Sequence, residues 1–450
     1  MPGAPREVAL AETAGSGQWP YPGRVRLLPM PDGGAARASG VAISTTRIPD
    51  DDPMAHRPLL ELLPGGDTVA WVRGDQGLVG WGVAARRRFG GTERFSRAMS
   101  WWHDWVAEAQ LHDEVGLPGT GPVAFGSFAF DHRPGTSEVV VPRILIGRRR
   151  GVTWLTTIGD AALPPRIAPQ PPTGVAWRPG TLSEEAWGAA VQRVVARIEA
   201  GELDKAVLAR DVIAEVAGPL DERYLMEQLH LDYPQCWTFH VAGLVGATPE
   251  LLVRREGSSV TSRVLAGTVR RSASGSDGAD AAAAAALLAS DKDLNEHAYA
   301  VASVADALAT HCTDLTVPPG PGVLRLANVQ HLATDVTATL ADAAPALALA
   351  ATLHPTAAVC GTPTERALAT IRAVEGMDRG RYAGPVGWFD SRGDGEFGIA
   401  LRCGRIDTKA KTVQLFAGCG LVAGSTPAAE LAESAAKFAA MRSALSPARR

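Results

Sequence analysis

The stretch FAGCGLVAGSTPAAELAESAAKF (416–438) passes from strand-like residues through a glycine-rich turn at Gly418 and Gly420 into a helix. Thr426 suits the N-cap of that helix and Pro427 its first position, because the leading N–H groups of a helix lack internal partners and proline has none to lose. From there Glu430, Glu433 and Lys437 recur at spacings of three and four, so they project from a single face. Two carboxylates and an ammonium beside closely set glycines read as a place for a hard cation.

Outward from this segment the chain alternates strand and helix signals. VAISTTRI (41–48), TVAWVRG (68–74) and LVGWG (78–82) are strand-like and separated by turn chemistry, which suggests antiparallel hairpins. A helix is expected near Phe95–Ala109 with Trp101, Trp102 and Trp105 inward, followed by strands in PVAFGSFAF (122–130) and PRILIGRRRGVTWLTTIG (142–159). Six prolines between 160 and 181 mark a linker or surface excursion. Ser183 then caps an amphipathic helix with Trp187, Val191, Val194 and Ile198 on one side. A strand over 203–216, a helix around Glu222–His230, strands at 237–243 and 251–255, an alanine-rich helix from about Asp280 to Thr310, and hairpins near 383–402 and 412–422 complete an α+β pattern. SASGSDGAD (272–280) reads as a flexible approach to the alanine helix. Residues 1–40 read as a poorly ordered leader, and 41–450 as one domain with halves 41–181 and 182–450.

Composition narrows the class. The chain has 450 residues, is 46% hydrophobic and carries a net charge of −4, the balance of an ordinary globular protein with a large core. The arginine triplets Arg86–Arg88 and Arg148–Arg150 stand apart from stacking aromatics and read as solvated turns, so no nucleic-acid partner is expected. Five cysteines without a Cys-x-x-Cys pair suggest neither a zinc site nor a disulfide framework and fit a reducing cytoplasm. No apolar run is long enough for a signal-peptide core or a membrane span, so no membrane association is expected.

The ordered segments LDKAVLAR, GATPEL, AGTVRR, SDKDLNEH, VQHLATD, HPTAAVCGTP, GPVGWFDSRGDGEFGIALR and the opening stretch, spread over 183–445, closely resemble the chorismate-utilising enzymes. HPTAAVCGTP (354–363), with a lysine in the first segment, is most similar to the isochorismate synthases, and DTVAWVRGDQGLVGWG (67–82) is similar to their menaquinone-pathway members. The resemblance implies an anthranilate/aminodeoxychorismate synthase-like fold of four layers, α/β/β/α, with large mainly antiparallel sheets. It implies Lys205 as general base toward water and Glu250 as general acid toward a departing hydroxyl. Glu296 and Glu433, with Glu430 and Asp293 assisting, match the magnesium ligands. Gly267, Thr268, His331, Thr362, Tyr382, Arg402, Gly418, Cys419, Gly420 and Lys437 match substrate-binding positions for chorismate, Arg402 as a fork for one carboxylate. A monomer without a glutaminase subunit is expected, since anthranilate synthases resemble one another in a glutamine where this chain has Lys205.

Chemistry supports the carried-over roles. Moving a hydroxyl between ring carbons needs one group to take a proton from water and another to give one to the leaving oxygen. On residue type alone Lys205 is a surface lysine at a strand start, Glu250 a strand-edge glutamate, and Glu433 and Lys437 an exposed helix ion pair. Salicylate synthase, which goes on to eliminate pyruvate, and a catalytically silent chorismate binder remain the alternatives. GCGLVA (418–423) fits a loose dinucleotide fingerprint but does not open a helix, and DSRGDG (390–395) reads as a hairpin turn because Arg392 stands where a calcium loop needs an acid or amide.

Overall fold

Two sheets share one long antiparallel strand pair. Strands Gln76–Gly90 and Thr136–Arg149 pair antiparallel along most of their length. From the first, one sheet runs through Thr68–Arg73, Trp237–Val241, Leu244–Thr248, Cys403–Asp407 and Thr412–Leu421 to Lys205–Val216. From the second, the other runs through Val123–Ser127, Pro385–Asp390, Gly395–Ile399, Leu251–Glu256 and Ser259–Arg270 to Val329–Leu340. Each of these pairings is antiparallel. The structure is a computed structural model that describes residues 40–161, 164–271, 277–327 and 329–446.

The inner faces of the sheets meet over buried Trp71, Trp237, Phe239, Phe125 and Phe397, and the indole N–H of Trp71 donates to Glu396 Oε2 across the interface at 2.6 Å. On the outer side of the first sheet, helices Glu222–Asp232 and Pro427–Leu445 pack Leu225, Leu229, Phe438 and Met441 against Val212, Ala214, Val413 and Leu415. Asp291–Leu308 and Ala346–Leu353 cover the outer side of the second sheet. The result is the four-layer α/β/β/α arrangement of the α+β class.

Local signals explain several boundaries. Ser183 Oγ accepts from the Ala186 N–H at 3.1 Å and Thr426 Oγ1 from the Ala429 N–H at 3.4 Å, each capping a helix where the residue type called for it. The expected single alanine helix is two, Asp277–Leu288 and Asp291–Leu308. Ser290 breaks it, because its hydroxyl caps the second helix at Asp293.

The proline-rich excursion contains a strand, Val175–Pro179, which pairs with Val212–Val216; prolines are tolerated there because it is an edge. Strand Leu244–Thr248, absent from the sequence reading, forms a hairpin with Trp237–Val241 through Ala242 and Gly243, both at positive φ. Trp102 is buried, whereas Trp101 and Trp105 are only partly so. The arginine triplets lie mostly on strands: Arg86–Arg88 are exposed there, and of the second triplet only Arg150 is an exposed turn residue. Arg86 and Arg88 sit on a strand facing Glu138, Arg148 is buried against the Thr153 hydroxyl and the Met54 and Arg57 carbonyls, and Arg149 and Arg150 pair with Glu256. The expected leader, apart from Gly40, and residues 272–276 of the flexible approach lie outside the described residues. Among the described residues no helix is long and apolar enough to cross a membrane.

Candidate active site

Where the two sheets diverge, a cavity of about 320 Å³ opens between the C-terminal helix and helix Asp291–Leu308. One wall is the antiparallel pair Lys205–Val216 and Thr412–Leu421, registered so that Gly420 faces Val207 and Gly418 faces Ala209. The two-residue period of a strand puts Lys205, Val207, Gly418 and Gly420 on the cavity side and Cys419 on the helix side. Gly418 and Gly420 are therefore strand residues, not a turn, and they stand opposite Ala209 and Val207, whose own N–H and C=O groups bond on the far edge of that strand, so the backbone groups of both glycines point away from it. Their value is the missing side chain. A Cβ at Gly418 would lie 3.0 Å from the Tyr382 hydroxyl, and one at Gly420 would lie 3.0 Å from Glu296 Oε1 and 3.1 Å from Lys205 Cε.

Lys205, buried at 6% exposure, donates from Nζ to Glu296 Oε1 at 2.6 Å. Glu250 reaches the same cavity from the loop between Leu244–Thr248 and Leu251–Glu256. Burial pushes its carboxyl up to about 8, and the Lys205 charge and a backbone hydrogen bond from Leu265 offset that only in part. A carboxylic acid that keeps its proton at neutral pH thus sits in reach of the field of a buried lysine.

The C-terminal helix brings the opening stretch's face to this cavity as expected. Lys437 Nζ donates to Glu433 Oε1 at 2.7 Å and to the Gly418 carbonyl at 2.7 Å, so the pair bridges helix and strand and is not an exposed surface contact. Burial opposes both charges, but each outweighs that cost for the other, holding Lys437 above and Glu433 below their ordinary values. Glu430, one helical turn earlier, is pushed up by burial and by the Glu433 charge, and its Oε2 is a buried atom with no hydrogen-bond partner among the described residues. Glu430, Glu433 and Cys419 bring their ligand atoms within 4.8 Å of one another. Glu296 lines the same cavity but is turned to Lys205.

The far wall is built on a β-bulge. Gly267, at φ +76°, interrupts the register between Ala266 and Thr268, and a Cβ there would press to 3.2 Å on Asp293 and Leu332. The bulge presents Thr268, whose hydroxyl lies 2.9 Å from His331 Nδ1. Arg402 Nη2 approaches His331 Nε2 at 3.4 Å. A guanidinium can only donate, so Nε2 accepts and the ring proton resides on Nδ1. Burial, and then the Arg402 and Lys437 charges, hold His331 neutral. Arg402 itself sits at φ +49°, and its Nη1 is buried without a partner among the described residues. Tyr382 stacks on Phe416 with 5.1 Å between ring centroids and closes the floor.

Two expected contacts fall elsewhere. Thr362 pairs its backbone with Lys205 and accepts from the Asp204 N–H at 2.9 Å; it fixes the entry of the lysine strand and does not line the cavity. Cys419 lies behind the wall on the helix side, its thiol donating to the Glu430 carbonyl at 3.4 Å.

Arg379 was not singled out by the sequence reading. It lines the cavity, pairs with Glu375, and donates to the Val207 carbonyl at 2.6 Å and the Val359 carbonyl at 2.9 Å. Glu375 in turn accepts from the Ala209 N–H at 2.7 Å, and the Trp187 indole donates to the Ala209 carbonyl at 2.9 Å. Side chains thus complete the edge of the lysine strand between its short pairings with Gly361–Thr362 and Val175–Pro179. The two stand beyond the end of helix Thr364–Val374, with Gly376 at positive φ between them, so no helix-face spacing singles them out in the sequence. Lys292 also lines the cavity, at its rim.

Residues 37–161 and 165–446 match the chorismate binding enzyme family, and the chain belongs to that family. It is 35% identical over 410 residues to a salicylate biosynthesis isochorismate synthase of Pseudomonas aeruginosa, covering 84% of each chain. It is 32% identical over 393 residues to the isochorismate synthase MenF of Bacillus subtilis, covering 80% of this chain and 83% of that one. Among solved structures, the menaquinone-specific isochorismate synthase MenF of Escherichia coli superposes with a TM-score of 0.75 at 25% identity, over 91% of this chain and 95% of that one.

Proposed function

We propose that this protein is an isochorismate synthase that converts chorismate to isochorismate by adding water at one ring carbon and expelling hydroxyl from another as the double bond shifts. The observation that carries the reading is the buried Glu250 carboxyl, held protonated to about pH 8, in one cavity with the buried Lys205 amine. Glu250 gives its proton to the departing oxygen, and Lys205 takes one from the attacking water. In the arrangement described, Lys205 donates to Glu296, so its action as a base requires release from that carboxylate. The unpartnered Nη1 of Arg402 receives a substrate carboxylate, and the neutral His331 with Thr268 holds the guanidinium in line.

Magnesium fits the carboxylates present. Oxygen donors suit a hard cation, Glu430 Oε2 lacks a partner, and the Glu430–Glu433 repulsion is relieved by positive charge. Glu433, Glu430 and Glu296 would hold it, and it would supply charge to neutralise a substrate carboxylate. The protein is proposed to act in the cytoplasm as a monomer without a glutaminase subunit. Its product is proposed to enter menaquinone synthesis, on the likeness of residues 67–82.

Chromatography of chorismate incubated with the purified protein, with and without magnesium, tests the proposal. Magnesium-dependent isochorismate without pyruvate is the expected result. Salicylate plus pyruvate would replace it by salicylate synthase, a reading kept open by the Pseudomonas aeruginosa relative's name. Unchanged chorismate would make the protein a silent binder.

A further inference from the structure

Cys419 is the one site position that points away from the cavity and still meets its carboxylates. It lies on the helix face of strand Thr412–Leu421, fully buried, behind Glu430 and Glu433. Glu430 and Glu433 also line the cavity. Three donors of two kinds therefore converge, with ligand atoms within 4.8 Å of one another. Glu430 is only 6% exposed, and its Oε2 has no hydrogen-bond partner among the described residues, so the carboxylate beside the thiol has an unmet demand that neither the helix nor the strand supplies.

We propose that Cys419, Glu430 and Glu433 form a thiophilic divalent-cation site, distinct in chemistry from a magnesium site, that takes Zn2+-class ions through the sulfur. Hard magnesium is served by carboxylates alone and leaves the thiol protonated. A soft or borderline ion gains a sulfur bond. The step balances simply. The Cys419 S–H proton leaves to solvent, a metal–sulfur bond forms, and the Glu433 carboxylate exchanges the Lys437 ammonium for the ion; nothing is oxidised or reduced. Since both carboxylates are shared, an ion held by the sulfur competes with magnesium. The other four cysteines are buried without such a carboxylate pair among the described residues.

Cobalt(II) is the probe, because a cobalt–thiolate bond produces a sulfur-to-metal charge-transfer band that carboxylate ligation does not. The full chain, stripped with chelator and kept reduced, is titrated with Co2+ and followed by absorbance. The expected result is a charge-transfer band that is discharged by equimolar Zn2+ or Cd2+ but not by equimolar Mg2+, and that is absent in Cys419→Ser. Glu430→Gln, nearly isosteric, should retain the thiol but weaken Co2+ binding by about tenfold or more. Circular dichroism verifies that both variants fold. Absence of the band in the parent protein, or its survival in Cys419→Ser, would overturn the proposal. The readout is metal ligation and not turnover, so it stands or fails independently of the reaction proposed for the cavity.

Discussion

Arg379 and Arg402 line the same cavity and are used in opposite ways. Arg379 is surrounded by acceptors. It pairs with Glu375 and donates to carbonyls of the lysine strand and of the 354–363 segment. Among the described residues the Arg402 guanidinium has only the neutral His331 as a hydrogen-bond partner and keeps a buried Nη1 unsatisfied, and the residue is held at a left-handed backbone angle. The difference separates scaffold from binding surface. A buried donor whose partners are all protein atoms contributes to folding, whereas one left unpaired costs stability until a ligand arrives.

The sharpest test lies between the two regions, at the acid and base. Lys205→Ala and Glu250→Gln are each expected to lower kcat by about 10²–10⁴-fold with the fold intact, and near-normal turnover in either would remove its role. At the scaffold end, Glu375→Gln leaves Arg379 buried without its counter-charge, and denaturant unfolding should show a loss of about 3–5 kcal/mol. At the binding end, Arg402→Ala should cost about 2–3 kcal/mol in kcat/KM while leaving unfolding free energy nearly unchanged. If Arg402→Ala proved as destabilising as Glu375→Gln, the contrast would collapse.

Titration sharpens the same comparison with a smaller effect. Glu250 donates only while protonated, so kcat/KM should fall about tenfold per unit as pH rises past about 8, and Glu250→Gln should lack that limb. Stability follows with a definite sign. Between the ordinary value of 4.5 and about 8 the folded chain retains a proton that the unfolded chain has released, so stability declines as pH rises across that window and levels off above it. A flat unfolding profile over this range would contradict the burial argument. Gly267→Ala should cost about 1–2 kcal/mol, because an L-residue is strained at its positive φ, and should raise KM by displacing Thr268.

Much of this site was legible locally. The cap at Thr426, the helix face carrying Glu430, Glu433 and Lys437, and the placement of Lys205 at a strand start follow from rules that act over a few residues. The errors share a cause. Thr362 and Cys419 belong to segments that reach the site, but the two-residue period of the strand turns Cys419 to the helix side and the pairing with Lys205 spends Thr362 on backbone. The helix break at Ser290 was hidden by the surrounding alanines, whose propensity argued for continuity. Glu375 and Arg379 follow the end of a helix, and nothing within their own segment says that they substitute for a missing strand beside Ala209.

By itself the sequence determined which residues are chemically able to act, because caps, strand alternation and helix faces are short-range consequences of residue type. Only the tertiary structure decided which polar atoms are spent and which remain unpaired. That depends on contacts between segments far apart in the chain: Glu430 Oε2 and Arg402 Nη1 stay open because strands, bulge and helix converge around them without supplying a partner.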